Sequence, residues 1–420
     1  MCTFAADLQN EKNLLTMFFD GISNSGMMAF SIIYGVTGVV PLIAALYLLL
    51  RRANAFAPEV TPPVRLRRWA AAFFMVTALG HVWWYILYAL SGDVRSEADL
   101  MRTAGYMAAV VLDIVTLQTT FAGTLMAMLQ DRRRPVWPAF AAMAPFVAMG
   151  VVQMVHPSPR LMWAVIAYVV LLYVTFTAYM AFAVRQYGRW LRDNYADLER
   201  KEVWLSHVLS LAFMLLLILY SFTEFDICQL YLLHFSELVF FVFLLWRVET
   251  LSDLSGSGIQ EDEETRRREY RNTGIQEDGN TGIQEGDAGP SPDTLSDDAY
   301  EEMTLLLQKH CIDTGLYLQH DLNKAQVAQA IGTNRTYLSL YFMRQETTYN
   351  AYINDLRIRH FIRLYREAIA AERPVTAQQL ALMSGYRSYS TFSLAFKQRM
   401  DQSVTAWMRR EKIEAGKDGN

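Results

Sequence analysis

Seven long apolar stretches fill most of the first 250 residues of this 420-residue chain, and they constrain its folding more than any other feature. A helix needs about 20 mostly apolar residues to cross the hydrocarbon of a bilayer, where every backbone polar group must be satisfied within the segment. The stretches run from Met27 to Leu50, Trp69 to Ser91, Ala104 to Leu129, Val136 to Val155, Leu161 to Val184, Val203 to Phe222 and Phe225 to Trp246. The last two meet at Thr223-Glu224, read as a tight turn. No basic segment precedes the first stretch, and it is too long for a cleaved signal peptide, so it is expected to stay as a span.

Loop charge sets the expected orientation. Segments 51–68, 130–135 and 185–202 hold 13 Lys and Arg, against 4 (Lys12, Arg95, Arg102, Arg160) on the opposite side. Cytoplasmic loops carry the excess of Lys and Arg. The N-terminal segment 1–26 is therefore expected outside, the seven-span domain 27–246 in the membrane, and the C-terminus in the cytoplasm. Trp69, Trp137, Trp163, Trp204 and Trp246 stand near span ends, where aromatic residues anchor helices at the interface.

Charge also divides the rest of the chain. Residues 1–250 carry a net +1, residues 251–299 a net −9 and residues 300–420 a net +4. The overall −4 thus hides a basic tail behind an acidic, Gly-rich tract. In that tract, Gly258 to Asp262 recurs as Gly274 to Asp278, and Asn272 to Glu277 recurs as Asn280 to Glu285. Such low-complexity sequence buries too little surface to fold, so residues 247–299 read as a disordered linker. Some 50 flexible residues would reach about 40 Å. The linker is either a plain spacer or a site of proteolytic release. Arg266-Arg267-Arg268 could touch anionic lipid, though acidic neighbours dilute its charge. Cys2, Cys228 and Cys311 form neither a C-x-x-C pair nor an even set, so no disulfide framework, zinc site or cofactor is expected.

The tail, residues 300–414, carries two helix-turn-helix patterns. In the first, Lys324 to Ile331 turns Val327, Ala328 and Ile331 to one face, Gly332 breaks the helix, and Arg335 to Arg344 forms the next, with Leu338 and Phe342 inward. In the second, Gln378 to Met383 precedes the turn Ser384-Gly385-Tyr386-Arg387, and Ser388 to Met400 follows with Phe392, Ala395 and Phe396 inward. A long helix, Ala351 to Ala371, joins them and carries Arg357, Arg359, Arg363 and Arg366. Arg335, Thr336, Ser339, Arg387, Ser388, Tyr389 and Ser390 lie on the exposed starts of the second helices. Arg pairs with guanine, and Ser or Thr with bases or phosphates. Asn334 either caps its helix or reads a base. Lys397 and Arg399 are expected to hold phosphates.

The run Ala381-x-x-Ser384-Gly385-Tyr386-x-Ser388-x-Ser390-Thr391-Phe392-x-x-Ala395-Phe396-Lys397 resembles the signature of the AraC/XylS transcription regulators, as does Tyr337-Leu338-Ser339 with Tyr352-Ile353-Asn354-x-x-Arg357. The resemblance covers about 100 of the 420 residues. It implies two helix-turn-helix units joined by a central helix, with double-stranded DNA and RNA polymerase as partners; together with the spans, the expected place of the whole chain is the bacterial cytoplasmic membrane. Asp401 and Val404 stand where that family carries Gly and Pro.

Ionisable residues inside spans are costly and are functional candidates. Counted from the outer ends, His81, Asp113, His234 and Glu237 lie at depths of about nine to twelve residues, and His234 and Glu237 share a helix face at i, i+3. They either line a pocket for an unidentified small molecule or membrane signal, or tie helices together by hydrogen bonds. A metal-dependent hydrolase and a transporter-like sensor are rival readings, although H-E-x-x-H is absent. The expected molecule is all-α and not an enzyme: a seven-transmembrane-helix bundle, a disordered linker and a double helix-turn-helix DNA-binding domain. It would act as a one-component regulator whose states differ in homodimerisation.

Overall fold

The computed structural model describes residues 24–90, 104–156, 158–220, 227–254 and 295–418. These residues are all-helical, with fourteen α-helices and no strand. They divide into two compact units, Met1–Tyr187 with Val203–Leu254, and Gly188–Glu202 with Ser255–Asn420.

The first unit holds α1 (Asn24–Leu50), α2 (Val64–Leu90), α3 (Ala104–Met128), α4 (Trp137–Val155), most of α5 (Pro159–Asn194), α6 (Trp204–Tyr220) and α7 (Ile227–Thr250). A helix stands at each of the seven expected positions. Among the described residues, five are long and apolar enough to cross a membrane: Ser31–Leu50, Gly105–Met128, Trp137–Val155, Arg160–Asn194 and Tyr231–Thr250. Helix α2 is not among them; Arg65, Arg67 and Arg68 fill its first turns. Among the described residues, helix α6 offers a shorter apolar stretch, Trp204–Leu217. The expected turn at Thr223-Glu224 lies outside the described residues.

Helix α2 packs against α1 and α3, α3 against α4, and α7 against α1, α2 and α6. Phe73, Phe74, Phe121, Phe240 and Phe241 form a buried aromatic centre, and Phe213 stacks on Phe240 with ring centroids 4.2 Å apart. One end of the unit is tied by polar contacts. Buried Glu249 meets Arg51 Nη2 at 3.0 Å, Asn54 Nδ2 donates to Glu249 O at 2.8 Å, and Gln130 bonds both Ser252 O and Leu254 N. The described chain here runs to Leu254, and its helix to Thr250, past the expected start of the linker at 247. Ser296 caps the helix that opens the tail; most of the expected linker, 255–294, lies outside the described residues.

The second unit contains α8 (Asp297–Leu307), α9 (Lys324–Ala330), α10 (Arg335–Arg344), α11 (Tyr349–Ala370), α12 (Ala377–Met383), α13 (Tyr389–Met400) and α14 (Val404–Asp418). It has two apolar cores. Leu307, Leu322, Val327, Leu338 and Phe342 meet Tyr349 and Ile353 from the first half of α11. Leu380, Ala381, Phe392, Phe396, Val404 and Trp407 meet Ile358, Phe361 and Tyr365 from its second half. One central helix therefore serves both cores. Asp401 takes φ +51° at the end of α13, so an Asp fills the left-handed position that favours Gly, and Val404 and Trp407 are buried beyond it.

Candidate nucleic-acid interface and polar helix cluster

The two helix pairs of the second unit are built by the same local chemistry. Asn323 caps α9 in a reciprocal capping box with Gln326, and Thr376 caps α12 in the same way with Gln379. Each short helix ends at a glycine with positive φ, Gly332 (+74°) and Gly385 (+86°). A capped second helix follows each turn. Asn334 accepts from Thr336 N at 2.9 Å and Tyr337 N at 3.0 Å, and Ser388 accepts from Thr391 N at 3.3 Å. Asn334, for which capping and base reading were both open, caps.

The remaining candidate residues divide by position. Thr336 is exposed and Arg335 half-exposed at the start of α10. Ser339 is half-buried; its hydroxyl donates to Arg335 O and accepts from Lys324 Nζ, both at 2.7 Å. Burial lowers the Lys324 ammonium to about 8, against the pull of Asp193. In the second pair, Arg387 Nη2 pairs with Asp321 Oδ2 at 2.9 Å. Tyr389 packs its ring on Phe392, and exposed Ser390 sits 2.9 Å from the Ser388 hydroxyl. Lys397 is exposed, and Arg399 Nε bonds Asp355 at 2.6 Å.

Sequence reasoning missed the partner of the second pair. Residues 188–202, expected as a membrane loop, fold with the tail. Asn350 Nδ2 donates to Tyr195 O (3.2 Å) and Ala196 O (2.7 Å), Ala196 N donates to Leu322 O at 3.1 Å, and Ala196 is buried in the first core. Buried Lys201 reaches Asp321 at 3.0 Å. Ser388 and Thr391, at the start of α13, each donate a hydroxyl to Glu199 Oε2 at 2.6 Å. Burial opposes ionisation of Glu199, but these hydroxyls, with Arg200 and Arg387 nearby, outweigh it and hold the carboxyl below its usual range. A carboxylate thus occupies hydroxyl donors at a helix start, a position suited to anions.

In the first unit, the structure brings together the ionisable residues singled out by depth. Ligand atoms of His81, His234 and Glu237 all lie within 4.8 Å of one another. His234 Nδ1 is 3.0 Å from Glu237 Oε2. Asp113 adjoins them: Trp84 Nε1 donates to its Oδ2 at 3.2 Å, while its Oδ1 is buried with no hydrogen-bond partner. Two uncharged residues of α1 complete the cluster and escaped a search for ionisable groups. The Tyr34 ring lies 4.9 Å from His81 and 5.7 Å from His234, and Thr37 Oγ1 is 3.2 Å from His81 Nε2. Two imidazoles and two carboxylates in an apolar setting can bind a cation, exchange protons or crosslink helices.

Comparison with known families finds no family model that matches this chain, and no curated protein matches it either.

Proposed function

We propose that this chain is a membrane-embedded, one-component transcription regulator that binds specific double-stranded DNA through two helix-turn-helix units, α9–α10 and α12–α13. The observation that carries this reading is the repeated pair: capping box, short helix, positive-φ glycine and capped second helix, twice, on the two halves of α11. The basic charge of the tail and the resemblance of its motifs to the AraC/XylS regulators support it. The loop charges favour seven spans with the N-terminus outside and the tail in the cytoplasm of a bacterium, beside RNA polymerase. Two such units on one DNA face address major grooves about 34 Å apart. A homodimer would raise the effective concentration of units at paired sites. The cluster of His81, Asp113, His234 and Glu237 is the natural receiver of the signal.

The contact made by Glu199 supplies an off state to this reading. The hydroxyls of Ser388 and Thr391 cannot serve a DNA phosphate while they serve Glu199. The segment carrying Glu199 continues from α5, a candidate span, so a signal that shifts α5 has a covalent route to the second unit. Any signal must favour one of the two states by its affinity difference.

The test is genome-wide mapping of DNA crosslinked to the full-length protein in cells. Discrete sites are expected, lost in the Arg335→Ala/Arg387→Ala double variant at unchanged membrane abundance. A protein present in the membrane without discrete sites would overturn the reading.

A further inference from the structure

We infer that His81, His234 and Glu237, flanked by Asp113, form a site for a divalent transition-metal ion of the zinc type, which makes such an ion the signal the membrane half receives. The second clause rests on the regulator reading above; the site itself does not.

Ligand geometry comes first. Nitrogen and oxygen donors around tetrahedral zinc sit about 2.0–2.2 Å from the ion, hence about 3.5 Å from one another. Three donors already within 4.8 Å need only small side-chain movements to close on an ion. They come from α2 and α7, which pack together, so the site asks for no rearrangement of the helices. The approach is tight around His81: a Cβ added to Gly38 of α1 would lie 3.3 Å from His81 Cβ, and one added to Gly80 would lie 3.0 Å from Asp113 Oδ1.

The hydrogen bonds then assign the lone pair. His81 Nδ1 is 3.0 Å from Thr77 O, a carbonyl that can only accept, so Nδ1 carries the proton. A ring N–H held by a backbone carbonyl is the usual support of a metal-binding histidine. In the neutral ring, Nε2 then presents its lone pair. Its neighbour Thr37 Oγ1 donates its own proton to Tyr34 O at 2.8 Å. That hydroxyl lies 3.2 Å from Nε2 in a part-buried place, and while it serves Tyr34 O the Nε2 lone pair is open to a cation.

Charge points the same way. Asp113 lies within electrostatic range of both His81 and Glu237, and its Oδ1 is buried without a partner. An ionised carboxylate in apolar surroundings is strongly disfavoured unless paired. A dication between Asp113 and Glu237 balances both charges. Calcium and magnesium favour all-oxygen shells, whereas two imidazoles with carboxylate select zinc or its neighbours.

The experiment uses full-length protein in detergent, stripped with chelator and reloaded with Zn²⁺ or Co²⁺. The expected result is about one ion per chain, with affinity at least tenfold weaker in His81→Ala and Glu237→Gln and less reduced in Asp113→Asn. Because those variants could fail to fold, His81→Cys provides a gain of signal. With Co²⁺, a correctly inserted His81→Cys protein is expected to show a thiolate-to-cobalt charge-transfer band that wild type lacks. Failure of the wild type to retain any ion would overturn the site, as would an inserted His81→Cys protein without the band. A bound ion without transcriptional response to zinc would uphold the site and remove its role as signal, while DNA mapping tests the regulator reading separately.

Discussion

The two helix pairs of the C-terminal unit share their caps and their turn glycines but differ in what surrounds the turn. An added Cβ at Gly332 would meet nothing within 4 Å. At Gly385 it would lie 2.8 Å from the Cα and O of Leu318. The first turn is open; the second is pressed against the backbone that precedes the first pair. Beneath that second turn, Tyr386 covers the buried Arg357, whose Nε and Nη2 donate to Tyr317 O and Gln319 O, both at 2.8 Å. Two similar local sequences therefore give one free-standing turn and one locked to its neighbour. The lock and Glu199 gather at the second pair, whereas Ala196 belongs to the first core.

Breaking the lock itself should have the largest effect. Arg357→Met keeps bulk but leaves two carbonyls without donors, at a cost of roughly 2–5 kcal/mol. Hydrogen-exchange mass spectrometry of the full-length protein should show the loss across 376–400 and 316–322 while α9 and α10 retain most of their protection. Uniform loss over the whole unit would mean that the two cores open as one.

The glycines sharpen the comparison next. Either substitution to Ala forces an L-residue into the left-handed region, a strain of about 1–2 kcal/mol. Gly385→Ala adds a collision with backbone, which overpacking data place at about 1–3 kcal/mol more. The expected order in thermal denaturation is wild type, Gly332→Ala, then Gly385→Ala well below both. Equal losses would show that the second turn is not pressed against Leu318.

These differences also mark where sequence alone was sufficient. The bounds of α10, Arg335 to Arg344, follow from the sequence to the residue, because Gly332 and Asn334 announce the turn and cap locally. The cluster of His81, His234 and Glu237 was legible because depth along a span is a count of residues. Long-range backbone pairing leaves no such trace. Nothing periodic announces that Ala196 N bonds Leu322 O, or that α5 continues past Val184 to Asn194 and delivers Glu199 to α13. Tyr34 and Thr37 stayed hidden among apolar neighbours, and Ser339 looked exposed on helical spacing before Lys324 was seen to reach it.

Glu199 offers a change at the second pair alone. Glu199→Gln removes the charge that Ser388 and Thr391 hold, at a cost to docking of about 1–2 kcal/mol. Under the proposed regulator reading docking competes with DNA, so the apparent DNA affinity of the full-length protein should rise several-fold. The pH dependence has a defined sign. Both Glu199 and Asp321 are held below the usual carboxylate range against the opposing effect of burial, Glu199 chiefly by Ser388 and Thr391 and Asp321 by Lys201 and Arg387. Their stabilisation is fully present above the unfolded value of about 4 and is lost as pH falls through the depressed folded values. Exchange protection of 195–202 should therefore hold steady from neutral pH down to about 5 and fall only in stronger acid. A loss between pH 6 and 7 would assign the contact to another group.

The smallest expected effect separates reading from holding. Arg387 spends part of its charge on Asp321, which Lys201 also engages, so it must leave that carboxylate before it can reach a base edge. The net loss on Arg387→Ala should then fall at or below the low end of the roughly 1–3 kcal/mol that a bidentate base contact contributes, since the wild-type arginine gives up its Asp321 ion pair to make that contact. The loss should appear at one half of the DNA site only, as weaker footprint protection on the side of α12–α13, while Arg335→Ala weakens the other half. If Arg387→Ala lowers affinity equally for all sequences, the side chain holds a phosphate. If it raises affinity, the Asp321 pair belongs to the same blocking contact as Glu199, and the second helix pair is the one that the membrane half controls.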